Sequence, residues 1–143
     1  MKKNRPVRTP SPSEVAARLQ AHGIRATAPR LRIAELLLAA PQHLSAEQLA
    51  EALRQQGVPV SKATVYNTLN LFAGRGLIRH LVVDAARSCF DSNVEAHYHF
   101  HDEASGALTD VGLPEVQFSR LPDPPAGMEV AGLDLVIRLR PSR

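Results

Sequence analysis

Read from the amino end, apolar positions recur at helical spacing, and each helical stretch opens on a hydroxyl residue. Ser11-Pro12-Ser13-Glu14 has capping-box spacing with proline at the first helical position, which predicts a helix from about Pro12 to His22, stopped by Gly23. Thr27 is placed to cap a second helix running through Ala40, where Pro41 forbids continuation. Its sequence RLRIAELLLAA is apolar on most sides, so it belongs at the centre of the fold. Ser45-Ala46-Glu47-Gln48 is a second capping box, opening a helix that carries Leu49 and Leu53 inward and ends at Gly57. Ser61 caps a fourth helix, SKATVYNTLNLFAGRG.

On a helical wheel of that fourth segment, Val65, Leu69 and Phe72 fall within about 60° of one another, and Ala63, Tyr66, Asn67 and Asn70 take the opposite side. One side packs and the other is free. The free side mixes hydroxyl and amide groups without an acid, and Lys62 flanks it, which is chemistry suited to phosphates and base edges. A solvated outer face is the plainer reading of such a pattern taken alone. Context favours the first reading: the short link from Gly57 to Val60 makes a helix-turn-helix with the preceding helix. A hairpin is then predicted from strands Leu77 to Val83 and Ser88 to Asp91, joined by Asp84-Ala85-Ala86-Arg87 as a wing.

From about Asn93 the pattern changes. His97-Tyr98-His99-Phe100-His101-Asp102 alternates strictly, so a strand there places His97, His99 and His101 on one face and Tyr98 and Phe100 on the other. A turn at Ser105-Gly106 leads to a strand from Ala107 to Val111. LPDPPAG cannot be helical, and Met128 to Leu139 is predicted as the last strand, with Leu133, Leu135, Ile137 and Leu139 on one face. The fold class is therefore α+β: a basic, disordered arm at residues 1–10, a winged helix-turn-helix domain at 11–92, and a small α/β sensing and dimerisation domain at 93–143.

Charge sharpens this division. Residues 1–83 hold 12 Lys or Arg against 4 acids, a net of +8, whereas residues 84–143 hold 5 against 10, a net of −5. Duplex DNA carries about one phosphate charge per 1.7 Å and releases counterions to a basic partner, so the first part is suited to double-stranded DNA. The acidic, histidine-bearing second part is suited to a cation. Aromatic residues make up only 4% of the 143 residues and tryptophan is missing, which leaves little for a single-strand stacking platform. The lone cysteine, Cys89, excludes an intramolecular disulfide and a cysteine-only metal site, and is expected to be buried in the wing. No apolar run of the sort a secretory signal or membrane span requires follows MKKNRPVRTP, so a cytoplasmic location without membrane attachment is expected.

Neutral imidazole is a common ligand for transition metals, and an H-x-H pair on a strand offers two nitrogens to one ion if a carboxylate or a third histidine joins them. Asp91, Glu95, Asp102, Glu103 and Asp110 are near in sequence, and His43 precedes the third helix. A hydrophilic strand edge accounts for the same stripe without any metal. A small metal-dependent enzyme using His97, His99 and a carboxylate is the rival of a different class, but no H-E-x-x-H, G-x-S-x-G or glycine-rich phosphate loop is present, and the chain is not expected to be an enzyme. A winged-helix adaptor with inert histidines is a further alternative.

The order of these parts resembles the ferric uptake regulator (Fur) family over roughly residues 15 to 140. The resemblance is carried by Gly23-Ile24-Arg25-Ala26-Thr27-Ala28-Pro29-Arg30, by His43-Leu44-Ser45-Ala46-Glu47, by Ser61-Lys62-Ala63-Thr64-Val65-Tyr66-Asn67-Thr68-Leu69, and by the H-x-H strand followed by Gly106. It implies a regulator that binds promoter DNA as a homodimer, with the fourth helix in the major groove and Arg25, Ser61, Lys62, Thr64, Tyr66 and Asn67 at the DNA. It also implies a metal site whose ligand pattern falls on His43, Asp91, His99 and Asp110, with His97 at a neighbouring second site, and with aspartate standing where the family's pattern has the longer glutamate at 91 and 110.

One departure is informative. The first Cys-x-x-Cys pair that most relatives use for structural zinc falls here on Asp102 and Ser105, so no zinc site of that kind can form. That loss, with LPDPPAGMEV and LDLVIRLR, resembles the iron response regulator (Irr) branch, whose members sense iron through haem. The branch's usual run of three adjacent histidines is interrupted here by Tyr98. The expected ligand at His97 and His99 is thus iron or haem, with zinc, manganese or peroxide sensing as the alternative repressor types, and the expected mechanism is a change in the spacing of two winged helices.

Overall fold

The structure, a computed structural model, describes residues 8–40, 42–84, 87–94 and 97–143. Most of the expected basic arm, the Pro41 helix stop, the Ala85-Ala86 wing turn and the candidate ligand Glu95 lie outside the described residues. The chain divides into two compact units, Met1–Val94 and Glu95–Arg143.

The first unit begins with helices α1 (Pro12–Ala21) and α2 (Ala28–Leu38), the short strand β1 (His43–Leu44), and helices α3 (Ala46–Gln55) and α4 (Lys62–Gly74). Three of the helices start as the sequence predicts. Ser11 Oγ accepts from Glu14 N at 3.2 Å, and Ser61 Oγ accepts from Thr64 N at 3.1 Å. Ser45 and Gln48 form a reciprocal box with bonds of 3.1 and 2.9 Å. At α2 the expectation fails: Thr27 occupies the N-cap position but its side chain caps nothing. Pro29, at the second helical position, removes one of the two N–H groups open to a cap and leaves only that of Arg30. The helix also stops at Leu38, two residues short of Ala40.

Helices α1, α3 and α4 end alike. A glycine at positive φ (Gly57 at 71°, Gly76 at 77°) follows the last turn, and the next apolar residue bonds back into it: Val58 N to Leu53 O and Leu77 N to Phe72 O, both at 2.9 Å. The left-handed glycine turns the chain, and the apolar residue after it joins the core beside the residue it bonds. Leu19, Ile33, Leu37, Leu49, Leu53, Val65, Leu69, Phe72 and Ile78 form that core, each at most 2% exposed.

The predicted hairpin is present as β2 (Arg79–Asp84) and β3 (Arg87–Asp91), completing a winged helix. A third strand was not predicted. Residues 43–44, expected only to lead into α3, form β1 and pair antiparallel with β3, giving the order β1-β3-β2. Cys89 is half-buried rather than buried; it sits across from Leu81 on the β2–β3 ribbon, which is covered only in part.

The second unit is a three-stranded sheet in the order β5-β4-β6, from β4 (Tyr98–Asp102), β5 (Leu108–Val111) and β6 (Val136–Leu139). β4 pairs antiparallel with β5 and parallel with β6. The last strand is much shorter than the predicted Met128 to Leu139. Its ladder needs β4 as a partner, and β4 supplies only His99 to Asp102 opposite Val136 to Leu139. Leu133 therefore lies outside the strand and is 39% exposed. A parallel pair requires a crossover, usually a helix. Here the connection holds β5 and a single 3-10 turn, Leu113–Glu115, and the following stretch with Pro122, Pro124 and Pro125 has no helix or strand. Among the described residues no helix is long and apolar enough to cross a membrane.

Candidate functional site

The exposed side of α4 carries Lys62, Ala63, Tyr66, Asn67 and Asn70, and Val65, Thr68, Leu69 and Phe72 are buried beneath it. The six predicted DNA-contacting residues are not equivalent. Lys62 and Asn67 are exposed on this face, Tyr66 is exposed but tied through its hydroxyl to a neighbouring helix, and Arg25 is exposed just before α2. Ser61 and Thr64 are committed to the helix start, because Ser61 Oγ takes the Thr64 amide and donates to Thr64 Oγ1 at 2.9 Å. A contact from either to a phosphate competes with that cap. Beside Asn67, a cleft of about 280 Å³ is lined by Thr27, Arg30, Thr64, Asn67 and Leu71, with Arg30 held by its Nη1 donating to Arg25 O at 2.9 Å.

Sequence reasoning missed Glu47. It bonds to the outer face of α4: Tyr66 Oη donates to Glu47 Oε1 at 3.2 Å. The negative carboxylate, chiefly through its charge and then through the bond, raises the Tyr66 phenol above its ordinary range. Nineteen residues separate the two, and nothing in either residue's local pattern announces the pair.

In the same unit the β1–β3 register sets His43 opposite Asp91. Their side chains meet, His43 Nε2 lying 3.1 Å from Asp91 Oδ2. Asp91 is 1% exposed, and its other oxygen accepts from Asn93 N at 2.8 Å. A carboxylate so deeply buried requires compensation by hydrogen bonds or a positive partner.

In the second unit His97, just before β4, and His99 and His101 within it are buried, and Tyr98 between the first two is buried as well. The β4–β5 register sets His99 opposite Asp110. Asp110 Oδ1 lies 3.4 Å from His97 Nε2 and 3.6 Å from His99 Nε2, and the two imidazoles meet edge to face at 4.5 Å. His101 has Leu108 and Arg138 as strand neighbours. The candidate acid Asp102 is used otherwise: its carboxylate accepts from Ser105 Oγ at 2.8 Å and Ala104 N at 2.9 Å, closing the β4–β5 turn. Glu103 is exposed on that turn.

These donor sets suit a divalent ion. Two ligands each about 2.1 Å from a metal stand about 3.0 Å apart at a right angle and about 3.4 Å apart at the tetrahedral angle. The pairs at 3.1, 3.4 and 3.6 Å are spaced close to those values. Imidazole nitrogen with carboxylate oxygen and no sulfur selects iron, manganese or zinc over soft ions such as Cu(I).

A winged helix with a polar outer α4 face, followed by a histidine-bearing sheet, is the arrangement of a metal-responsive transcriptional regulator. The sequence profile of the Ferric uptake regulator family matches residues 21–130, and the chain belongs to that family. It is a regulator and not an enzyme. Among similar proteins, the peroxide-responsive repressor PerR of Staphylococcus epidermidis is 32% identical over 103 residues, 72% of this chain and 69% of that protein. PerR of Staphylococcus aureus is 33% identical over 103 residues, 72% of this chain and 70% of that protein. The ferric uptake regulator of Pseudomonas aeruginosa, solved with manganese, superposes with a TM-score of 0.68 at 28% identity, covering 89% of this chain and 97% of that one. That of Francisella tularensis, solved with iron, gives a TM-score of 0.68 at 25% identity, covering 82% and 92%.

Proposed function

We propose that the chain is an iron-type divalent-metal sensor in the cytoplasm that binds promoter DNA as a homodimer. In this reading residues 11–92 read the duplex and residues 93–143 sense and dimerise. Tyr66 and Asn67 meet base edges in the major groove, Lys62, Arg25, Ser61 and Thr64 meet the phosphates beside it, and His43, Asp91, His97, His99 and Asp110 serve as metal ligands. The observation that carries the reading is the donor spacing of 3.1 to 3.6 Å within each unit's own ligand set. A bound divalent ion supplies positive charge to Asp91 and Asp110. The chain's own part is to hold each imidazole with its Nε2 toward a carboxylate oxygen. Exposed Phe118, Leu121, Met128, Val130 and Leu133 give the second unit the apolar surface that a dimer would cover.

Linkage makes the proposal quantitative, since an ion that tightens DNA binding by some factor must itself be bound more tightly on DNA by the same factor. The test is to titrate metal-free protein with Fe(II), Mn(II) and Zn(II), and separately with haem, while following anisotropy of a labelled promoter duplex. Metal-dependent DNA binding lost in His43→Ala and His99→Ala is expected. DNA affinity indifferent to every metal would overturn the sensing reading. Haem, suggested by the Irr-like tail, competes for the same histidine face. A Soret shift at equimolar haem that accompanies a change in DNA affinity would assign the chain to that branch.

Likeness to the staphylococcal peroxide-responsive repressors favours one second reading, a peroxide response. Ferrous iron is oxidised by hydrogen peroxide and Mn(II) is not. Peroxide is then expected to release DNA from the Fe(II)-loaded protein alone.

A further inference from the structure

One rung beyond the His43–Asp91 pair, the ladder between β1 and β3 is finished by side chains. Gln42 N donates to Ser92 Oγ at 3.0 Å, and Ser92 N returns a bond to Gln42 O at 3.2 Å. The same Ser92 hydroxyl donates to Ala40 O at 3.2 Å. The Gln42 side chain turns the other way, its Nε2 donating to the carbonyls of Leu36 and Leu37 in the last turn of α2. Those carbonyls are among the four that a helix end leaves without internal partners. Gln42 thus ties a helix end to the strand carrying His43, and Ser92 ties that strand to the one carrying Asp91.

We propose that Gln42 and Ser92 are positioning residues for the His43–Asp91 ligand pair, fixing β1 against α2 and β3 so that His43 Nε2 and Asp91 Oδ2 are held at ligand spacing before any ion arrives. This rests on the metal-sensing reading above. The physical case is one of leverage. β1 contributes only two residues to the sheet, Leu44 opposite Phe90 and His43 opposite Asp91, so its own ladder is too short to hold a ligand in register. Five bonds from Gln42 and Ser92 are made at its open end, next to His43. The Asp91 side is held independently by Asn93 N, which leaves His43 as the partner whose place depends on the clasp. Groups that orient a ligand from behind commonly change metal affinity about 10- to 100-fold when removed.

The test measures Co(II) and Zn(II) affinity of the full-length chain by competition with a chelating dye, together with the Co(II) visible spectrum and the thermal midpoint. Ser92→Ala is expected to weaken both ions about tenfold and alter the Co(II) bands. Ser92→Thr, which keeps the hydroxyl, is expected to restore both. Ser11→Ala, which removes the α1 cap far from β1, supplies the control for a general loss of stability: its midpoint falls while affinity and spectrum stay as in the parent. Gln42→Ala is expected to behave as Ser92→Ala. Parent-like affinity and spectrum in Ser92→Ala, or no recovery in Ser92→Thr, would overturn the positioning role and leave the metal reading standing. Metal uptake by the parent that is indifferent to His43→Ala and Asp91→Ala would overturn both.

Discussion

The phenol of Tyr66, on the outer face of α4, donates to Glu47 Oε1 of α3 across 3.2 Å. An acid is thereby fixed at the edge of a surface that otherwise suits DNA, and it holds one of the two tyrosines of the chain in a set pose. The raised Tyr66 phenol pKa implies a contribution to stability that is present below the unfolded tyrosine value of about 10 and is lost as pH rises through the folded one. Glu47→Gln is expected to bring the Tyr66 titration, read by absorbance near 295 nm, back toward the ordinary value, and to reduce the loss of stability in alkaline solution. An unchanged titration would show that Glu47 does not control the ring.

Lys62 is exposed at the start of α4, where a single phosphate contact is the simplest use of its ammonium. Lys62→Ala is expected to weaken binding to specific and random duplexes alike and to reduce the salt dependence of log K by about 0.9. Tyr66→Ala, by contrast, is expected to cost the specific sequence more than the random one. Equal salt slopes for parent and Lys62→Ala would remove Lys62 from the interface.

Asp102 is held below the ordinary carboxylate range, first by the Ser105 hydroxyl and then by the Ala104 amide. Its depressed pKa contributes stability above the unfolded value of about 3.9, lost as pH falls through the lower folded value. Ser105→Ala is expected to raise the Asp102 midpoint in a carbon-detected NMR titration and to make the β4–β5 turn open at a higher pH. If the midpoint does not move, the turn is held by its backbone alone.

Phe72 is completely buried in the first unit's core and makes the closing bond of α4 through its carbonyl to Leu77 N. Phe72→Ala is expected to cost about 3 to 5 kcal/mol, measured by urea unfolding of a signal confined to residues 8–94. A loss below about 1 kcal/mol would mean the cavity refills.

The helices were legible because their signals are local. Ser11, Ser45 and Ser61 each cap within three residues, and the glycine-apolar pairs at Gly57-Val58 and Gly76-Leu77 end a helix within six. Thr27 stands at the N-cap position as predicted, but its side chain makes no cap bond. What escaped was set by distant partners. His43-Leu44 becomes a strand only against Phe90 and Asp91, and the reach of the last strand was decided by the length of β4. The same holds at the candidate site. Alternation put three histidines on one face, but which carboxylate meets which imidazole follows from two registers, His43 opposite Asp91 and His99 opposite Asp110, that local pattern does not carry.

The parallel pairing of β4 with β6 has a consequence for the newly made chain. β4 is complete at Asp102, but its second neighbour is not finished until Leu139. The winged helix needs nothing beyond Asp91 for its last strand. During synthesis, where amino-terminal units generally fold first, the winged helix can form while the sheet bearing His97 and His99 still lacks an edge. Every molecule thus passes through an interval in which its winged helix is complete and its histidine sheet is not.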